Sequence, residues 1–115
     1  MQVRAKKYLH DIVHAGRLLL DFLGERDFAS FEGDPQLRAA VEREFGIIGE
    51  AMVRLAREQP EVAGRISEYR DIIAFRNLLI HAYSAVEASA VWTAVHDDLP
   101  VLMREAEALL TEPED

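Results

Sequence analysis

Apolar residues recur at helical spacing along nearly the whole chain, and no stretch alternates in the way a half-buried strand does. The pattern predicts four helical segments. The first runs roughly from Val3 to Leu23, with Leu9, Ile12, Leu19, Leu20 and Leu23 in one stripe. Gly16 lies in the same stripe, where a side chain's absence lets another backbone come close. Gly24 is a C-terminal stop. Glu25 to Gly33 is a polar connection anchored by Phe28 and Phe31. Asp34-Pro35 then starts a second helix, the aspartate capping free N–H groups and the proline filling a position that needs none. Leu37, Val41, Phe45, Ile48, Met52 and Leu55 form its apolar face, and Gln59-Pro60 ends it. Glu61 to Ile66 is a short helical turn. A third helix covers roughly Glu68 to Tyr83, with Ile72, Arg76, Leu79, Ile80 and Tyr83 along one face.

The fourth segment begins near Glu87. Trp92, Val95, Leu99, Leu102, Ala106 and Leu109 continue one face straight through Pro100, which predicts a kink or two abutting helices there. The fold class expected is all-α: a compact up-and-down bundle of four to five helices. Residues 1–110 form one domain, and 111–115 form an acidic, frayed tail.

Composition narrows the function classes. The 115 residues fit a single domain. Half are apolar and 30% are charged, a globular balance. The absence of cysteine removes disulfides, thiolate metal sites and cysteine nucleophiles, and suits a reducing cytoplasm. The net charge of −8 makes the chain a poor general binder of polyanions. No apolar run approaches the roughly 20 residues a membrane helix needs, so no membrane partner is expected. The basic start, Met1 to Lys7, is followed by no apolar signal core.

An arginine inside an otherwise apolar stripe is what packing alone does not explain. Arg76-Asn77-Leu78-Leu79-Ile80-His81-Ala82-Tyr83 holds the residue types that metal-free RNA cleavage requires. An imidazole, which titrates near neutrality, can take the proton of a ribose 2′-hydroxyl or protonate a leaving 5′-oxygen. A guanidinium holds the phosphate through a planar fork and steadies its growing charge. Neither role needs a metal or cofactor. On a regular helix, however, Arg76 and His81 stand roughly 140° apart. They can flank one cleft only with help from another helix or a second subunit, and a two-fold axis supplies two copies of each. Tyr83 falls nearly in line with Arg76, and Asn77 above His81. The plainer alternative stays open: Arg76 paired with a bundle carboxylate, and His81 favoured at a helix C-terminus by the dipole.

The remaining chemistry is weaker. His10 and His14 share a helical face and could chelate a metal, with Asp11 between them, but no third ligand is signposted. Asp11 could instead face Arg76 across the bundle. Glu42, Arg43, Glu44, Glu50 and Arg54 read as a solvated face, with Glu50 and Arg54 at favourable i,i+4 spacing. Trp92 reads as a core or dimer contact.

Arg76 to Tyr83 resembles the R-x4-H-x-Y motif of HEPN-domain proteins, specifically the HepT-like toxin family. Tyr8 to Ile12 is similar to that family's opening helix, and Ile47-Ile48-Gly49-Glu50-Ala51 to its second-helix signature. Arg70 to Asn77 leads into the motif as family members do, and Val91-Trp92 and Asp97 to Pro100 resemble the closing segment. One departure is that Glu61-Val62-Ala63-Gly64 follows Pro60 without the tryptophan often found there. The resemblance implies a dimeric all-helical ribonuclease acting on RNA without metal, with Arg76 and His81 as the catalytic pair and Asn77 in support. It also implies a minimal nucleotidyltransferase as antitoxin and partner, which can adenylylate the motif tyrosine, here Tyr83. The charge does not oppose this, because Tyr69 to Tyr83 carries +1 and the rest of the chain −9. A non-catalytic HEPN module that binds a nucleotidyltransferase or nucleotide is the alternative. A small metal hydrolase built on His10 and His14 is a distant third.

Overall fold

The computed structural model describes residues 1–81 and 86–113. Four long helical units make the bundle: α1 (Val3–Leu23), α3 (Pro35–Glu58), α5 (Tyr69–His81) and a composite last unit. The last unit is α6 (Ala88–Thr93), a π-helical turn over Ala94–Asp98, and α7 (Leu99–Leu110). Short helices α2 (Phe28–Glu32) and α4 (Pro60–Ala63) sit in the connections. No strand occurs among the described residues. The all-α bundle read from periodicity is the fold.

Local chemistry sets the boundaries. Gly24 ends α1 at φ +56°, a left-handed conformation that glycine tolerates. Asp34 caps α3 by accepting from Leu37 N–H at 3.1 Å, with Pro35 just inside. Pro100 falls in the first turn of α7, where a missing N–H costs nothing. The chain accommodates the approach to it with the wider π turn rather than a break. The expected abutment at Pro100 is therefore present.

Leu9, Ile12 and Leu19 of α1 meet Ile48, Met52 and Leu55 of α3, and Leu99 and Ala106 of α7, in one fully buried core. A polar tie closes one end. Tyr8 Oη donates to Glu58 at 2.6 Å, and Arg4 Nε lies 3.0 Å from the same carboxylate. At the same end Ser67 N–H and Oγ donate to Glu105, and Arg65 Nη1 donates to Glu112 at 3.0 Å.

Four local expectations need correction. The Glu25–Gly33 connection contains α2, because Asp27 caps Ser30 N–H and Phe31 is buried beneath Trp92 and against the core. Gly16 admits the side chain of Met103, not a backbone: a Cβ there would stand 2.8 Å from Met103 Sδ. Leu20 is 41% exposed, so the α1 stripe is narrower than its apolar letters. Glu44 is buried, since three residues past Val41 and four before Ile48 is the core side of α3.

Helix α5 differs from its neighbours. It packs chiefly on α3, and none of its residues is fully buried. Arg70, Ala74, Asn77 and His81 form an exposed outer stripe at helical spacing. The turn into α5 passes through Glu68 at φ +56°, whose carbonyl accepts from the N–H groups of Asp71 and Ile72.

Candidate functional site

The Arg76 side chain leans off α5 onto α3, and a glycine makes room for it. A Cβ on Gly49 would lie 2.1 Å from Arg76 Cβ, which no pair of atoms tolerates. One residue further along α3, Glu50 reaches the guanidinium: Arg76 Nη2 donates to Glu50 Oε2 at 2.6 Å. Arg76 Nη1 donates to Asn77 Oδ1 at 2.9 Å. The side chain is 25% exposed, and its Nε is buried without a hydrogen-bond partner. A guanidinium has five N–H donors, so this fixing leaves further N–H groups for an incoming anion.

Glu50 is shared. Its other oxygen, Oε1, accepts from Arg54 Nε at 3.1 Å, one turn along α3. That hydrogen bond is the main reason the Arg54 guanidinium is held above its ordinary value. Arg76, Glu50 and Arg54 thus form a line of two cations about one anion. They lie in a cleft of about 390 Å³ between α1, α3 and α5, which Lys7, Arg43 and Ile80 also line. Asp11 lines the cleft too, but it pairs with Lys7 at 2.9 Å. The carboxylate facing Arg76 is Glu50, not Asp11.

His81 is the last residue of α5 and is exposed. Its side chain makes no hydrogen bond or ion pair among the described residues, and none of the described side-chain contacts joins it to Arg76. A single chain therefore brings Arg76 together with Asn77 and Glu50, and leaves His81 on another side of the helix. Tyr83 lies outside the described residues. His10 and His14 are both exposed, and no group of three or more metal-ligating side chains occurs among the described residues. Trp92 stacks within the chain, 5.5 Å from Phe31 and 4.3 Å from His96 between ring centroids.

Sequence reading missed the link from Glu50 to Arg76, since the i,i+4 partner Arg54 accounted for the glutamate. The available signal was Gly49, a glycine inside a 24-residue helix with no boundary nearby, although Gly46 on the same helix meets no such neighbour. The block Ile47 to Ala51 thereby gains a physical reason, because it is the part of α3 that Arg76 packs on.

The chain is thus a small all-helical bundle that presents an arginine braced by a glutamate, with a histidine one and a half turns further on. The chain matches the family described as Ribonuclease HepT-like over residues 12–109 and belongs to it. It is 35% identical over 104 residues to the "Probable ribonuclease HepT" of Thermococcus cleftensis, covering 90% of this chain and 94% of that one. It is 28% identical over 102 residues to "Putative RNase MJ1380" of Methanocaldococcus jannaschii, covering 89% and 93%. No solved structure matched. Among the described residues no helix is long and apolar enough to cross a membrane.

Proposed function

We propose that this chain is the toxin of a toxin–antitoxin pair: a metal-independent endoribonuclease that works as a cytoplasmic homodimer. The observation that carries the reading is the fixed Arg76 guanidinium, held by Glu50 and Asn77 with N–H groups to spare, on the same helix as an exposed His81. Arg76 binds the scissile phosphate and stabilises the charge that grows on it. The 2′-oxygen attacks phosphorus as the bond to the 5′-oxygen breaks, leaving a 2′,3′-cyclic phosphate and a 5′-hydroxyl. One His81 accepts the 2′-hydroxyl proton, and a second delivers a proton to the departing 5′-oxygen. Two histidines at one phosphate call for two subunits. The exposed outer stripe of α5, with Ala74 at its middle and Ile80 at its edge, is a surface on which two copies can meet about a two-fold axis.

The partner in regulation is a minimal nucleotidyltransferase antitoxin acting on Tyr83. Adenylate on that hydroxyl adds a phosphate able to compete for Arg76 and a base that blocks RNA.

The test is cleavage of single-stranded RNA by the purified protein in chelator. Wild type cuts. His81→Ala and Arg76→Ala each lose about a hundredfold or more while remaining folded by circular dichroism. Cleavage that survives His81→Ala overturns the mechanism, and a wild-type protein that binds RNA or nucleotide without cutting assigns the chain to the non-catalytic modules.

A further inference from the structure

The flank of α5 opposite Arg76 borders a second and larger depression. It runs between α5 on one side and α6, the π turn and α7 on the other, with a volume of about 680 Å³. Its lining is mostly aliphatic and aromatic: Ile48 of α3, Phe75 and Leu78 of α5, and Leu99 and Leu102 of α7. Leu78 is 47% exposed, a large apolar side chain left open to water. The rim is acidic. Glu68, Asp71, Asp97 and Asp98 line the groove, all four exposed, and none forms an ion pair among the described residues. No lysine, arginine or histidine lines it.

We propose that this groove docks a cationic amphipathic helix of a partner protein. An apolar trough between helices takes the apolar face of another helix, read as anchors one turn apart. Four unpaired carboxylates at its edges select a ligand whose polar flanks carry lysine or arginine. The same charges argue against the other occupants. A second copy seated here about a two-fold axis sets four carboxylates of one chain against four of the other, and like charges face to face are repulsive. RNA and anionic surfaces are repelled for the same reason. The π turn contributes to the geometry: it carries both Asp97 and Asp98 in the turn leading into Pro100. Arg76 and Ile80 line the other cleft, so an occupant of this groove leaves the guanidinium uncovered. The docking site is thus separate from the proposed ribonuclease chemistry and stands or falls without it.

The probe is a fluorescent amphipathic helical peptide of leucine and lysine, titrated into the full chain and followed by anisotropy. The controls are a scrambled peptide of the same composition and a leucine–glutamate counterpart. Wild type binds the amphipathic lysine peptide in preference to both. Combining Asp71→Asn, Asp97→Asn and Asp98→Asn weakens binding by about tenfold, the size expected of three partly screened charge contacts. Leu78→Gln, which alters an exposed side chain, weakens it as well. A variant that removes the same charge elsewhere (Asp21→Asn, Glu25→Gln and Glu61→Gln) binds within about twofold of wild type. The proposal is overturned if that distant variant loses as much as the groove variant, or if Leu78→Gln binds unchanged. It is equally overturned if the scrambled peptide binds as well. A shift of wild-type dimer to monomer on Leu78→Gln, seen by sedimentation, assigns the groove to self-association instead.

Discussion

Gly49 lies against Arg76 so closely that a methyl group on the glycine would stand 2.1 Å from the arginine's Cβ. The pair sets the separation of α3 and α5 and delivers the guanidinium to Glu50. Gly49→Ala must push the helices apart, and overpacking of this kind costs about 1–3 kcal/mol. Gly46, on the same helix, has nothing within 4 Å of the position a methyl group would take. Gly46→Ala should stabilise by up to about 1 kcal/mol, the ordinary helix preference for alanine. Urea unfolding of both variants checks the contrast in sign.

Glu50 accepts one hydrogen bond from Arg76, at 2.6 Å, and one from Arg54, at 3.1 Å. Removing the brace by Glu50→Ala should lower the turnover of RNA by about tenfold or more, since misplacement of a positioned group is costly. Glu50→Gln keeps one carbonyl acceptor and should fall between. Single-turnover cleavage rates, with folding checked by circular dichroism, test the order.

Phe31 is fully buried between Trp92 and the core although it sits in a five-residue helix. Phe31→Ala should cost about 3–5 kcal/mol, because the cavity adds to the lost transfer energy. A change of that size is a large share of a small domain's stability and shows directly in the thermal midpoint.

Asp34 is held below the usual carboxylate range, first by the Leu37 N–H and then by Arg26. The folded protein therefore binds this proton less readily than the unfolded chain. Its stabilisation is present in full above the ordinary aspartate value and is lost as pH falls through the lowered folded value. Asp34→Asn keeps a capping oxygen but not the charge. The thermal midpoint of wild type should exceed that of Asp34→Asn at pH 7, and the gap should close on acidification.

Co-expression with a neighbouring nucleotidyltransferase should add adenylate mass to the peptide containing Tyr83, and Tyr83→Phe should escape it. Intact-mass and peptide-mass measurements decide this. Complete silencing of an unmodified protein by the partner points to occlusion in place of modification.

Much of the fold was legible in the sequence for local reasons. The first helix has the bounds its periodicity gives, Val3–Leu23, and Asp34-Pro35 caps as those residue types must. What escaped was decided across the bundle. Leu20 and Leu9 are both leucine on α1, yet one is open and the other sealed, because only tertiary neighbours distinguish them. Glu44 looked solvated by its charge and is buried by its phase. At the candidate site, the Arg76 anomaly and its 140° (roughly) offset from His81 were readable from helix geometry alone. Its partner left only an indirect sign, the neighbouring Gly49, since an acidic residue 26 positions away does not itself mark the contact.

Helix α5 has no residue sealed from water, although it carries both Arg76 and His81. In the separate protomer its backbone amides are therefore the natural first site of opening in an otherwise well-anchored bundle, and should exchange with deuterium ahead of those in α1 and α3. Any molecule that covers either flank of α5 slows that exchange and raises the melting temperature as its occupancy rises. The same helix would then report binding at two different clefts through one observable, its own protection from solvent.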